Sequence, residues 1–114
     1  MITRTPVSTA LLTKLFRGFS DLSRLCLLEA LRDGPLTVTA LIERTGLTQS
    51  NVSNHLACLR DCGLVIASRQ QRYTLYQLSD ERVAMLLSIA EALLAETAQG
   101  VDACPHYEQK EECC

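Results

Sequence analysis

Apolar positions recur at intervals of three and four through the first sixty residues, then switch to a denser β-type run, then return to helical spacing. Over residues 8–19, Leu11, Leu12, Leu15, Phe16 and Phe19 share one face, predicting an amphipathic helix whose end Gly18 weakens. Asp21 is placed to cap a second helix, in which Leu22, Leu25, Cys26, Leu28 and Leu31 form a broad apolar stripe until Asp33-Gly34-Pro35 stops it. Thr37 or Thr39 opens a short third helix reaching Thr45. Gly46 then supplies a turn, and Thr48 caps a fourth helix over residues 49–62 whose Val52, Leu56 and Leu59 face inward. Two short helices joined by Thr45-Gly46-Leu47-Thr48 read as a helix-turn-helix, and Gly63 sits where a left-handed residue ends a helix.

Residues 64–68 and 73–78 are rich in Val, Ile, Tyr, Thr and Leu and bracket Arg69-Gln70-Gln71-Arg72, as a hairpin with a basic tip requires. This pattern predicts a wing. Ser79 is then expected to cap a fifth helix, with Asp80 and Glu81 in its first turn and Val83, Leu86, Leu87, Ala90, Leu93 and Leu94 on one apolar face. The expected fold is mainly α with a β-hairpin wing, a winged helix-turn-helix. Residues 1–98 would form one DNA-binding domain, and residues 99–114 a polar, loosely ordered tail that carries cysteines.

Composition adds bounds. A chain of 114 residues with 47% hydrophobic content has the length of one domain and enough apolar mass for a core. The N-terminus lacks a signal-peptide core, and no stretch approaches roughly 18 uninterrupted apolar residues, so a cytoplasmic protein without membrane partners is expected. Six cysteines in a reducing compartment point to metal ligation or redox chemistry rather than to structural disulfides. The net charge of −2 divides unevenly: residues 1–78 carry nine Lys/Arg against five Asp/Glu, or +4, and residues 79–114 carry two against eight, or −6. The basic groups therefore lie in the part that would face phosphate.

Thr48, Gln49, Ser50, Asn51, Ser53, Asn54 and His55 give the start of the fourth helix a set of donors and acceptors suited to base edges and phosphates. A polar helix face alone is ordinarily a solvated surface. Its position between the glycine turn and the hairpin makes it a reading helix for double-stranded DNA, with Arg69 and Arg72 of the wing on phosphate or in the minor groove. Farther along the same helix, Cys58 and Cys62 stand at i and i+4, with Cβ atoms about 5–6 Å apart, close enough for both sulfurs to reach one ion. Packed as small hydrophobes they would be inert, but Arg60 and Asp61 lie between them, Gly63 ends the helix, and Cys104 follows the last helix as a third thiol, from its own or the other protomer. Three thiolates select soft ions, Cd(II) or Pb(II), over Mn(II), Co(II) or Ni(II). Zn(II) ranks lower because it wants a fourth ligand, which His106 or a tail thiol would have to supply. Cys26, in an apolar run, reads as buried and inert.

Ser50-Asn51-Val52-Ser53-Asn54-His55-Leu56, followed by Leu59-Arg60-Asp61-Cys62-Gly63-Leu64-Val65, with Asp21-Leu22-Ser23-Arg24-Leu25 opening the second helix, resembles the ArsR/SmtB family of winged-helix repressors over roughly residues 10–98. Within that family, Cys58-x-x-x-Cys62 with a later cysteine is similar to the CmtR-type cadmium and lead sensors. The resemblance implies a homodimer built on the first and last helices, two reading helices in successive major grooves of a palindromic operator, and repression relieved by metal. The fifth helix lacks the paired histidines of the family's zinc sensors. The terminal Cys113 and Cys114, with Cys104, resemble the C-terminal thiols of arsenic-responsive members and leave As(III) or Sb(III) as an alternative inducer. A thiol redox sensor is a further alternative, although parallel Cβ directions at i and i+4 oppose a Cys58–Cys62 disulfide. An enzyme is disfavoured: no acid is in place to orient His55 beside Cys58.

Overall fold

A computed structural model describes residues 7–105. Five helices and one hairpin run in the order α1 (Thr9–Phe19), α2 (Leu22–Ala30) with a 3-10 turn over Leu31–Asp33, α3 (Val38–Thr45), α4 (Gln49–Asp61), β1 (Val65–Gln70), β2 (Tyr73–Leu78) and α5 (Glu81–Ala103). Each helix starts where a short polar side chain can satisfy an orphan amide. Ser8, Asp21, Thr37 and Thr48 accept from Leu11, Arg24, Ala40 and Asn51 at 3.1, 3.0, 3.1 and 3.2 Å. The cap of α5 is Asp80 and not Ser79: its carboxylate accepts from the amide of Arg82 at 2.8 Å, while the Ser79 hydroxyl is engaged elsewhere.

The core is a cluster of aliphatic side chains from every helix but the first: Leu27, Leu28 and Leu31 around α2, Leu41 of α3, Val52, Leu56 and Leu59 of α4, and Val83 and Leu87 of α5, closed by Leu47, Leu64 and Val65. Full burial of each such side chain is worth about 1.5–3 kcal/mol. The centre of the α2 stripe is displaced from the expected one. Leu27 is fully buried, whereas Leu22, Leu25 and Cys26 are half-buried, because α3 and α4 approach α2 from the side of Leu27 and Leu28.

The wing pairs antiparallel from Val65 opposite Leu78 to Gln70 opposite Tyr73, so only Gln71 and Arg72 form its tip. Gln71 adopts φ 33°, the one non-glycine positive φ among the described residues. Leu36 and Tyr76 exchange backbone hydrogen bonds at 2.9 and 2.8 Å, and this anchors the hairpin to the body.

At the other end of the chain, α5 is longer than the pattern predicts, continuing through Gly100 to Ala103 with residues 88–103 exposed throughout. By length and a mean hydropathy of 1.2 it is apolar enough to cross a membrane, although Glu91 and Glu96 keep it from being an uninterrupted apolar run. Its outward face carries Met85, Ile89 and Leu93, the last two 63% and 60% exposed, and α1 presents Leu11 and Phe16 at 58% and 55%. Phe16, Phe19, Leu25, Leu86 and Leu94 wall an apolar groove between α1, α2 and α5.

Candidate nucleic-acid interface and thiol pair

Gly46, at φ 74°, reverses the chain after α3 and donates its amide to Ile42 at 2.8 Å. Leu47 then plugs the core, and Thr48 starts α4. With Val52, Leu56 and Leu59 buried, Gln49, Ser50, Asn51, Ser53 and Asn54 are left exposed on the opposite side of the helix. Thr48 spends its oxygen lone pair on the amide of Asn51 and keeps its O–H free to donate outward. Arg69 and Arg72 are exposed on the wing, the first in β1 opposite Thr74 and the second in the tip.

His55 is placed differently from the other six. It is half-buried, with Nδ1 4.0 Å from the Asp21 carboxylate at the start of α2. Burial alone would raise the Asp21 pKa, but the Arg24 amide, the Arg24 charge and His55 outweigh it and hold the carboxyl below its ordinary value. His55 thus ties the reading helix to α2.

At the far end of α4, the thiols of Cys58 and Cys62 are free and one helical turn apart, the first half-buried and the second exposed. Partial burial raises the Cys62 pKa, and the neighbouring Cys58 and the charge of Asp61 push it the same way against Arg24. A cation binding there must displace protons. Arg24 is itself fixed, donating to the carbonyls of Arg17 at 2.8 Å and Gly18 at 3.3 Å at the end of α1. Cys62 caps α4, and Gly63, at φ 80°, forms a Schellman end: Gly63 donates to Arg60 at 3.0 Å and Leu64 to Leu59 at 2.9 Å.

Cys104 is brought to neither thiol. It caps the C-terminus of α5, whose 23 residues span about 34 Å at 1.5 Å each. The opposite end of α5 is the one beside Cys62, because Ser79 donates to the carbonyl of Gly63 at 2.6 Å. Among the described residues no three metal-ligating side chains cluster. His106, Cys113 and Cys114 lie outside the described residues. Cys26 departs from the expectation of a buried, inert thiol: it is half-buried, in a groove with Leu22, Arg44 and Thr45. Arg24, near the thiols, and Ser79, bonded beside them, are not announced by the sequence as site residues. The Asp21-x-x-Arg24 capping pattern is visible, but its proximity to residues 55–62 arises only when α2 packs on α4.

A family profile described as "Bacterial regulatory protein, arsR family" matches residues 21–67. The chain is similar to a probable mercury resistance operon repressor of Streptomyces lividans, 40% identical over 91 residues that cover 80% of this chain and 73% of that protein. Against the HTH-type transcriptional regulator CmtR of Mycobacterium tuberculosis it is 44% identical over 85 residues, 74% of this chain and 72% of the relative. The NMR structure of the cadmium metal-sensor CMTR from that organism aligns with a TM-score of 0.60 at 45% identity, covering 67% of this chain and 79% of the other. A homodimeric winged helix-turn-helix DNA-binding domain from Mycobacterium bovis aligns at 0.69 with 25% identity, covering 95% and 100%. The helix-turn-helix, the wing and these relatives together make the chain a member of the ArsR family of bacterial transcriptional regulators, DNA-binding proteins and not enzymes.

Proposed function

We propose that the protein is a cytoplasmic, homodimeric repressor that holds operator DNA when metal-free and releases it when a thiophilic ion, Cd(II) or Pb(II), binds Cys58, Cys62 and Cys104, so that a metal-resistance operon is expressed. The carrying observation is the pair of free thiols one turn apart at the end of the helix whose other end presents the exposed polar side chains Gln49, Ser50, Asn51, Ser53 and Asn54. The donor set fits a soft cation: two thiols one helical turn apart, one of them exposed, with no carboxylate chelate beside them among the described residues. When bound, the ion would supply a strong cross-link in place of the three thiol protons. Gln49, Ser50, Asn51, Ser53 and Asn54 read the major groove, Thr48 donates from the helix start, and Arg69 and Arg72 hold the backbone. His55 orients the reading helix through Asp21.

One helix length of about 34 Å stands between Cys104 and the thiol pair of the same chain, so the third ligand comes from a second copy. The exposed apolar faces of α1 and α5 are the surfaces on which that copy packs, and the homodimeric relative has the same fold. Typical couplings between two such sites change affinity about 5- to 150-fold, reciprocally for DNA and metal.

The test uses a duplex selected from random sequence by the metal-free, reduced protein. Its affinity is measured with and without Cd(II), alongside thiolate-to-metal charge-transfer absorption for the wild type and for Cys58→Ser, Cys62→Ser and Cys104→Ser. Loss of the band in all three and weakened DNA binding in the wild type are expected; DNA affinity indifferent to Cd(II) would end the proposal. The likeness to a probable mercury resistance repressor makes Hg(II) the natural second ion in the same titration. Zn(II), and As(III) or Sb(III) through Cys104, Cys113 and Cys114, are its further arms, and the Cys113→Ser/Cys114→Ser variant separates the last.

A further inference from the structure

We propose that Ser79 is a positioning residue that carries metal occupancy from the end of the reading helix to the helix on which the second copy packs. This role rests on the metal-responsive reading and deepens it.

The two residues after Cys62 form a joint used from both sides. Their amides belong to α4: Gly63 donates to Arg60 and Leu64 to Leu59. Their carbonyls belong to Ser79, whose hydroxyl donates to Gly63 at 2.6 Å and whose amide donates to Leu64 at 3.0 Å. Asp80 follows immediately and caps α5. The side chain of Leu64, in turn, is buried so close to α1 that a Cβ on Gly18 would come 3.1 Å from its Cδ1. The last turn of α4, the start of α5 and the end of α1 therefore meet at residues 63, 64 and 79.

In the proposed dimer, the start of α5 bears on its own chain's thiol pair and its far end on that of the second copy. Its start is strapped beside Cys62, and its other end is capped by Cys104. An ion that draws Cys62 toward a third thiolate displaces Gly63 through the one peptide bond between them. The Gly63 amide is already committed to Arg60, so little slack remains, and the displacement either moves Ser79 and α5 or breaks the 2.6 Å bond. A hydroxyl-to-carbonyl bond at a joint of three helices, kept without the ion and broken or dragged along with it, would supply the coupling.

The test compares wild type, Ser79→Ala, Ser79→Thr and Ser79→Val in the reduced, full-length protein, using Cd(II) alone and the selected duplex. Ser79→Ala is expected to keep the wild-type charge-transfer band and metal-free DNA affinity within threefold, while the Cd(II)-induced loss of DNA affinity shrinks at least tenfold. Ser79→Thr, which keeps the hydroxyl, restores the loss, and Ser79→Val, isosteric with threonine but without the donor, does not, and serves if the alanine variant does not fold. A merely structural hydroxyl would lower the melting temperature and leave the coupling unchanged. Coupling in Ser79→Ala and Ser79→Val within threefold of wild type overturns the role of Ser79 alone; a wild type with no band overturns the metal reading beneath it.

Discussion

Asp21 serves two elements at once, accepting from the Arg24 amide at 3.0 Å to start α2 and facing His55 of α4 at 4.0 Å. Asp21→Ala is expected to destabilise the fold by about 1 kcal/mol at pH 7 through the lost cap, with Asp21→Asn recovering most of it. The sign with pH follows from the lowered pKa of the native carboxyl. The wild-type advantage is fully present above the ordinary value of 3.8 and is lost as pH falls through the lower native one, so urea melts of wild type and Asp21→Ala should converge below about pH 4. Convergence already at pH 6 would contradict this. Gly63 offers a second single-residue test. A Cβ there meets nothing within 4 Å, so Gly63→Ala isolates the strain of φ 80°, about 1–2 kcal/mol, from any packing effect. Unchanged stability in denaturant titration would mean that the joint relaxes.

At the scale of elements, α4 carries both proposed roles, DNA reading at its start and ion binding at its end, and its two ends are secured by different devices. Thr48 caps its start, and a left-handed glycine closes its end, while the buried Val52, Leu56 and Leu59 hold the middle against α2 and α3. Thr48→Ala removes the acceptor for Asn51 and the outward donor together. The expected loss is about 1 kcal/mol of stability and a melting temperature lower by roughly 4–8 °C, with weaker DNA binding beyond that. Thr48→Asp separates the two roles, restoring the cap while placing a negative charge toward phosphate; recovered melting temperature with DNA binding weaker than in Thr48→Ala is the expected pattern in calorimetry and fluorescence anisotropy. The wing is secured at its base by the Leu36–Tyr76 exchange and carries Arg69 and Arg72 outward. Removing both arginines should weaken binding to all duplexes alike and flatten the slope of log affinity against log salt by up to about two.

For the molecule as a whole, the distribution of exposed apolar surface matters most. Only Val83 and Leu87 of α5 are buried in the single chain, and Ile89, Leu93 and Leu94 lie open alongside Leu11 and Phe16 of α1. Apolar surface of this extent on neighbouring helices is characteristic of an interface. If the proposed homodimer packs on this surface, Ile89→Glu with Leu93→Glu halves the mass seen in sedimentation and abolishes DNA binding, because each monomer would carry a single reading helix. A ligand contributed across the dimer gives a sharper check. Mixing Cys104→Ser protomers with Cys58→Ser/Cys62→Ser protomers should regenerate one Cd(II) site per heterodimer, whereas sites contained within one chain would give none.

Periodicity and end signals were sufficient for the order of elements, because a helix needs a cap, an apolar stripe and a stop, and all three are local properties of the chain. Asp21, Thr48, Gly46 and Gly63 are read correctly for that reason, and the i, i+4 spacing of Cys58 and Cys62 holds wherever the segment is helical. Local signals failed where two neighbours suited the same position. Ser79 and Asp80 are both good N-caps, and the tertiary bond to Gly63 decides which of them is free to serve. Gly100, a plausible stop, lies inside α5 instead. The inward turn of His55 toward Asp21, the nearness of Arg24 to Cys62 and the half-exposed place of Cys26 follow from how α2 packs on its neighbours. The separation of Cys104 from the thiol pair follows from a 23-residue helix with its start tied beside Cys62. Sequence determines what each segment can bury and how it ends; only packing determines which ends and which side chains meet, because contacts between distant segments depend on the paths of whole helices.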